Sequence, residues 1–145
     1  MPSETTPITV SDRTGMIAGM TPVLDPETYV MCSLRSGQDS VAPSNLSLAM
    51  FREREGVSLI LPLQAAERFA FSGVSSPLSC ISLDVYSSLE GVGLTAAVSG
   101  ALAARDIACN IVAAYHHDHV FVPQDRAEEA LEVLVELQAR AADNS

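Results

Sequence analysis

Hydrophobic and polar residues alternate with two different periods in the second half of the chain. Cys80–Tyr86 alternates every second residue, which predicts a strand with one buried face. Apolar residues at helical spacing follow over Ser87–Arg105. Two strands, Ile107–Tyr115 and His119–Val122, then flank a polar turn, and a helix is predicted over Asp125–Ala142. The second half therefore predicts strand, helix, strand, strand and helix.

The first half shows weaker periodicity and more turn-forming residues. Pro22 and Pro26 predict an extended connector. Glu55 and Gly56 predict a tight hairpin, because glycine readily adopts the positive φ that such a turn needs. The predicted elements are a short helix over Ser11–Met20, a strand over Tyr29–Leu34, a loop over Arg35–Asn45, strands over Leu48–Arg54 and Val57–Leu61, a helix over Leu63–Ala70 and a linker over Ser72–Ser79.

An internal repeat appears when Pro62 is placed on Pro123. Leu48–Leu61 then lies over Cys109–Val122, and both stretches read as strand, polar turn and strand. The shared order of elements favours a duplicated unit. We therefore expect an N-terminal tail with a short helix over residues 1–19, one module over 20–78 and a second over 79–145.

Composition excludes several classes of function. The 145 residues are 48% hydrophobic, enough for a core, and no apolar run approaches the length of a membrane span. Eighteen acidic residues against eight basic ones give a net charge of −10, which disfavours nucleic acids and anionic membranes as partners. All eight bases are arginine, so Schiff-base chemistry and a P-loop lysine are excluded.

The cysteines and the N-terminus indicate the compartment. Cys32, Cys80 and Cys109 are an odd set without a C-x-x-C motif, and each lies in or beside an apolar run. We interpret them as reduced, buried thiols, which is typical of a reducing compartment. Met1–Val10 lacks the basic and apolar segments of a secretory signal. The prediction is a cytoplasmic protein.

The second half also resembles a known family, the ACT domain. The similarity covers Ile81–Leu134 and is weaker over Met20–Phe69. It is carried by Ile81–Ser99, Ala101–Ala103, Asp106–Val112 and His117–Pro123, with Met20–Pro26 and Gly56–Pro62 matching the companion half. The resemblance implies an α+β protein of two tandem ferredoxin-like βαββαβ modules with antiparallel sheets, similar to the regulatory end of aspartate kinases.

Two features depart from the family pattern. The second copy ends at its second helix, so its fourth strand must come from elsewhere, and Tyr29–Leu34 is the candidate. The first copy has the loop Arg35–Asn45 where an ACT unit carries its first helix, and Ser11–Met20 is the candidate replacement. Since no kinase segment is present, any regulated activity lies on another chain and the protein is not expected to be an enzyme.

The resemblance implies a site for an amino acid or similar small molecule at an interface between ACT units, usually in dimers. Ser87 and Glu90 have capping-box spacing, and a helix N-terminus with unpaired N–H groups attracts a carboxylate. Asp118 suits an ammonium group, although turn chemistry also explains it. The candidate ligand-binding residues are Ser87, Ser88, Leu89, Glu90, Gly91, Val92, Gly93, Asn110, Ile111, Val112, Tyr115 and Asp118.

Alternative functions remain open at this point. His117 and His119 point to one face of a strand and are candidate metal ligands together with Asp118. A ligand-free assembly module is the other main alternative. Gly91-Val92-Gly93 resembles a dinucleotide loop, but the acidic residue expected about 20 positions later is missing. Ser87 or Cys109 with the histidines suggests a hydrolase, but no oxyanion motif accompanies them. We expect no cofactor.

Overall fold

The computed structural model describes residues 13–84 and 92–143. Its strands are β1 (Pro22–Arg35), β2 (Ala49–Glu53), β3 (Gly56–Pro62), β4 (Gly73–Val74), β5 (Leu78–Leu83), β6 (Asn110–Ala113) and β7 (Asp118–Pro123). Its helices are α1 (Arg13–Gly19), α2 (Val41–Leu46), α3 (Leu63–Ala66), α4 (Leu94–Ala103) and α5 (Ala127–Asp143), with a 3₁₀ turn over Gln124–Arg126 before α5.

The chain folds into two compact units. The terminal unit joins the described residues up to Leu24 with those from Ile81 onward, and the central unit is Asp25–Cys80. The α+β class and the antiparallel pairing predicted from the sequence are confirmed. Among the described residues, no helix is both long enough and apolar enough to cross a membrane.

The terminal unit has the strand order β1–β5–β7–β6, in which β1 takes the place of the missing fourth strand. The Asp84 N–H donates to the Thr21 carbonyl at 3.0 Å, so the beginning of β1 lies beside the end of β5. Of β1, Pro22–Leu24 belongs to this unit. The expectation that Tyr29–Leu34 supplies the fourth strand is wrong in detail, because these residues belong to the central unit and pair with β3 on one side, while Cys32 and Ser33 pair with β4 on the other.

Helices α1, α4 and α5 supply apolar side chains to the core of the terminal unit. Met16, Ile17 and Met20 are buried there with Leu102 and Leu134. The helix predicted over Ser11–Met20 therefore exists as α1, but it packs against α4 and α5 rather than serving as the helix of the first copy. Its apolar residues are buried in the larger core of the terminal unit, and this burial determines where α1 packs.

The central unit has the order β4–β1–β3–β2 around a smaller core that includes Cys32, Leu59 and Leu61. Its first helix is α2, inside the segment predicted as a loop, which corrects that expectation. Asp39 Oδ1 accepts the Val41 N–H at 3.0 Å and supports the first turn. Pro43 is tolerated because N–H groups in a first turn have no helical partner.

The predicted hairpin of the central unit is confirmed. β2 and β3 are antiparallel, with Phe51 opposite Ser58 and Glu53 opposite Gly56. Gly56 has φ +148, and a Cβ there would lie 1.9 Å from the Leu34 carbonyl oxygen of β1. The glycine therefore permits close approach of β1 as well as the turn.

Several predicted boundaries differ from the structure. The connector at Pro22 and Pro26 is part of β1, the helix over Leu63–Ala70 is limited to α3, and the linker over Ser72–Ser79 contains β4 and the start of β5. The start predicted for the next helix, at Ser87, lies outside the described residues; α4 begins at Leu94, after Gly93 with φ +109. The helix predicted over Asp125–Ala142 is α5, and the 3₁₀ turn that precedes it after Pro123 has no side-chain cap.

Candidate functional site

The loop that leads from β5 into α4 is described only in part. Candidates Ser87, Ser88, Leu89, Glu90 and Gly91 lie outside the described residues. Val92 is 81% exposed, and Gly93 is the N-cap of α4. A Cβ on Gly93 would lie 2.9 Å from Cδ of Arg13 on α1. The glycine thus fits both a left-handed backbone and close packing by Arg13.

The end of β5 and the start of β7 lie side by side in the terminal unit. Ser82 Oγ and His119 Nδ1 are 3.3 Å apart, which joins these two strand ends. The β6–β7 hairpin, with Tyr115 at its tip, is therefore at the same sheet edge as the end of β5. The structure gathers Tyr115 and Asp118 at this edge. Val92 and Gly93 belong to the connection between β5 and α4, and this connection leaves β5 at the same edge.

Asp118 is the buried charged residue of this edge, only 8% exposed. It lies opposite Ala113 and alternates with the core residues Val120 and Val122, so it points to the face that carries the helices. Desolvation raises the pKa of its carboxyl, while the nearby imidazoles of His117 and His119 lower it by a smaller amount. No ion pair compensates it among residues 13–84 and 92–143.

The metal hypothesis finds no matching geometry. His119 follows Asp118 in β7, so its side chain points to the opposite face of the sheet, where it meets Ser82. Within the described part of the chain, no group of three histidine, cysteine or acidic residues is arranged to hold a metal ion. The local sequence pattern brings the donors close in sequence, but strand alternation separates the carboxylate from His119.

The candidates of β6 are spread along the strand. Asn110 lies opposite Phe121, at the end of β6 remote from the hairpin, and is exposed. Ile111 packs against the core, and Val112 lies opposite His119. A four-residue strand spans about 10 Å, so Asn110 is separated from Asp118 by most of that length. The structure does not bring Asn110 to the edge that holds Tyr115 and Asp118.

Two residues near the candidates were missed from the sequence. Ser82 was detectable as the polar position between the inward-facing Ile81 and Leu83, whereas Arg13 gave no sequence signal of its contact with Gly93. Burial raises the pKa of the Cys32 and Cys109 thiols, so neither is an activated nucleophile.

Comparison with known protein families gives two matches to the ACT domain, over residues 10–76 and over residues 75–136. The resemblance inferred from the sequence is thereby confirmed. ACT domains are typically regulatory and bind ligands, and neither match is to a catalytic domain. No curated protein matches the chain.

Several solved structures share the fold of this chain. A Vibrio cholerae protein of unknown function, described as a possible transport protein, is 37% identical with a TM-score of 0.75, covering 86% of this chain and 94% of that one. An Agrobacterium tumefaciens protein is 16% identical with a TM-score of 0.67, covering 82% and 89%. The regulatory subunit of aspartate kinase from Thermus flavus is 13% identical with a TM-score of 0.53, covering 82% and 98%. The last two likenesses concern the fold alone.

Proposed function

Because this chain belongs to the ACT-domain family and carries two copies of the domain, we propose that it is a regulatory protein that binds a small amino-acid-like molecule. The two matches, over residues 10–76 and 75–136, are both to a domain that is typically regulatory, and neither is to a catalytic domain. The proposed role is therefore binding without catalysis. A partner protein would read the change in shape or association that the ligand produces.

The observation that carries the proposal is the buried carboxylate of Asp118. A buried charge is costly unless it is paired, and the described residues give Asp118 no ion pair. The ammonium group of an amino acid would offset this cost with a charge-assisted hydrogen bond. The carboxylate of the same ligand would be bound by the N–H groups of the loop over Ser87–Gly93, as the family resemblance implies.

Two further features support this proposal. Tyr115 is 81% exposed at the hairpin tip, where its ring is available to cover a bound molecule. No disulfide joins Cys32, Cys80 and Cys109 to one another, which supports the proposed cytoplasmic location. The metal alternative has no observation in its favour, since its three donors do not converge.

A thermal-shift screen of the full chain against the twenty amino acids tests the proposal. A ligand at about 100 times its Kd adds about 2.7 kcal/mol to the free energy of unfolding, which is a shift of several degrees. We expect one amino acid, or a chemically related group of them, to raise Tm. The shift, measured against each variant without ligand, should be lost in Asp118→Asn and retained in Asp125→Asn, which changes an exposed carboxylate.

Two outcomes contradict the proposal in different ways. If no amino acid raises Tm, the ligand class is wrong and the ligand-free assembly module becomes the better account. If the shift persists in Asp118→Asn, the protein binds amino acids but Asp118 does not hold the ammonium group.

A further inference from the structure

Arg13 differs from the other arginines of the terminal unit in having no ionic partner. The unit contains four arginines, Arg13, Arg105, Arg126 and Arg140. The last three form ion pairs with glutamates of α5. Arg13 forms no ion pair with any residue of 13–84 or 92–143. In a chain of net charge −10, where anions outnumber cations, this makes Arg13 the exception.

The side chain of Arg13 packs against the start of α4. Its Cγ and Cδ would lie 3.0 and 2.9 Å from a Cβ on Gly93, so the aliphatic stem occupies the space that this glycine leaves open. A packed stem has fewer accessible rotamers, so the guanidinium loses less conformational entropy when it binds an anion. Because Arg13 is exposed, its guanidinium is accessible to a small molecule.

Two further contacts fix α1 at the edge of the terminal sheet where the candidate site lies. Gln138 Nε2 of α5 donates to the Ala18 carbonyl at 3.3 Å. The Thr21 carbonyl, two residues after α1, accepts the Asp84 N–H at the end of β5 at 3.0 Å. α1 therefore contacts α4 and α5 at the edge where β5 ends and β7 begins.

The topology places Arg13 and Asp118 at the same edge and on the same face of this sheet. α4 connects β5 to β6, and β7 lies between these two strands, so α4 crosses over β7. α4 begins at the edge where β7 starts with Asp118, whose carboxylate points to the helix face and is only 8% exposed. The two opposite charges do not pair with each other. Such an arrangement suits a molecule that carries both charges.

We propose that Arg13 binds the carboxylate of a free amino acid whose ammonium group is bound by Asp118. The inference rests on the proposed function and names its ligand class, a molecule with both ionic groups rather than an amine or an amide. A guanidinium can donate two parallel hydrogen bonds to one carboxylate, which the ammonium group of lysine cannot do. Arg13 thus adds a cation to the backbone N–H groups proposed above for this carboxylate.

The inference also gives α1 a role in binding. α1 precedes β1 and lies outside the βαββαβ order of both copies, so the family resemblance does not supply Arg13. Met16 and Ile17 attach α1 to the core of the terminal unit. This burial determines where Arg13 is held, because the arginine lies only one turn of helix before these residues.

A cycle of changes in protein and ligand tests the contact. Each of the twenty amino acids is titrated into the full chain by calorimetry, and each one that binds is compared with its α-carboxamide, which keeps the ammonium group but lacks the negative charge. The wild-type chain should bind the acid about tenfold more tightly, because a charge-assisted hydrogen bond is lost in the amide. Arg13→Gln should lose most of this preference, whereas a merely structural role of Arg13 would weaken both ligands equally.

The matched control is Arg140→Gln. Arg140 is a 75% exposed arginine of the same unit, and its variant should keep the wild-type preference for the acid. Arginine modification by phenylglyoxal, followed by peptide mass spectrometry of the wild-type chain, gives a second measurement that needs no variant. An amino acid that binds should slow the modification of Arg13 and leave the rate at Arg140 unchanged.

The outcomes separate this inference from the proposed function. If no amino acid binds, both are overturned. If an amino acid binds but a folded Arg13→Gln keeps the tenfold preference for the acid, only the role of Arg13 is overturned. Modification of Arg13 at the same rate with and without the bound amino acid would also overturn that role alone.

Discussion

The terminal and central units share one strand topology but differ in how well helices cover the sheet. In the terminal unit, α4 and α5 have 10 and 17 residues, and α1 contributes two buried residues to the core as well. In the central unit, α2 and α3 have six and four residues. The longer helices bury the larger core, while the shorter ones leave apolar side chains such as Val41 and Phe51 exposed. Strand topology therefore does not determine how fully helices cover the sheet of a unit.

The two units therefore differ in which side chains they bury and which they expose. A well-covered unit can bury a carboxylate such as Asp118, whose charge then requires a partner. A poorly covered unit exposes apolar side chains and an edge strand instead. We therefore assign the small-molecule proposal to the terminal unit, which holds Asp118. Substitutions in each unit test this difference.

The largest difference is expected between two glycines. Gly56→Ala places a Cβ against the backbone of Leu34, which cannot move without disrupting β1, and adds strain at φ +148. We expect a loss on the order of 3 kcal/mol in the free energy of unfolding. Gly93→Ala meets only the flexible side chain of Arg13 at φ +109. Its expected loss is about 1–2 kcal/mol, since most of it is backbone strain.

Gly37→Ala is the control for the glycine comparison. Gly37 has φ +89, and its Cβ would meet no atom within 4 Å, so the variant measures backbone strain alone. Denaturant unfolding of the three variants should rank the losses as Gly56, then Gly93, then Gly37. A loss at Gly56 equal to that at Gly37 would show that β1 yields to the added methyl group.

A smaller effect is expected at Asp118, and it depends on pH. Desolvation raises the pKa of this carboxyl in the folded state, so the folded chain holds the proton more tightly than the unfolded chain. This tighter hold on the proton stabilises the folded chain when the pH is below the ordinary pKa of an aspartate carboxyl, which is about 4. The contribution is lost as the pH rises through the raised pKa. Asp118→Asn should therefore raise Tm at neutral pH and have little effect in acid.

Thermal unfolding of wild type and Asp118→Asn across this pH range measures the difference. Asp125→Asn, at an exposed position of the same unit, should show no such pH-dependent gain. A wild-type chain that is more stable than Asp118→Asn at neutral pH would contradict an uncompensated charge at Asp118.

The smallest effect is expected from the ion pairs that α5 makes on the surface. Arg105 lies 3.6 Å from Glu136 and 4.0 Å from Glu129, and its side chain is half exposed. Arg105→Gln should cost less than about 1 kcal/mol, because exposed pairs are screened by solvent. The cost should shrink as salt is added. Arg68→Gln, without an ion pair among the described residues of the central unit, is the control in the same denaturant titration.

Sequence patterns predicted the elements best where burial follows a simple period. Alternation in β5 and helical spacing in α5 identified these elements, and Gly56 identified the hairpin of β2 and β3. The prediction failed at α2, where a short helix with Pro43 depends on packing against β3. It also failed for the role of α1, because a seven-residue helix is assigned to a unit by the core it fills.

The candidate site was predicted to a smaller extent. The sequence singled out Tyr115 and Asp118, and the structure brings them to one sheet edge. It did not reveal that strand alternation directs Asp118 and His119 to opposite faces with Ser82 beside the histidine, nor that Asn110 lies at the other end of β6. Such facts require the pairing of strands, which the sequence pattern of one strand does not contain.

The sequence by itself determined the ACT resemblance, the duplicated order of elements, the acidic charge and most of the strands. These properties depend on local periodicity and composition, which can be read within a short window. Only the tertiary structure decided that the start of β1 completes the terminal sheet, that α1 packs in that unit, that Asp118 is buried and that β2 is exposed. Each of these depends on contacts between segments that are distant in the sequence. A local sequence pattern does not contain the free energy of such contacts.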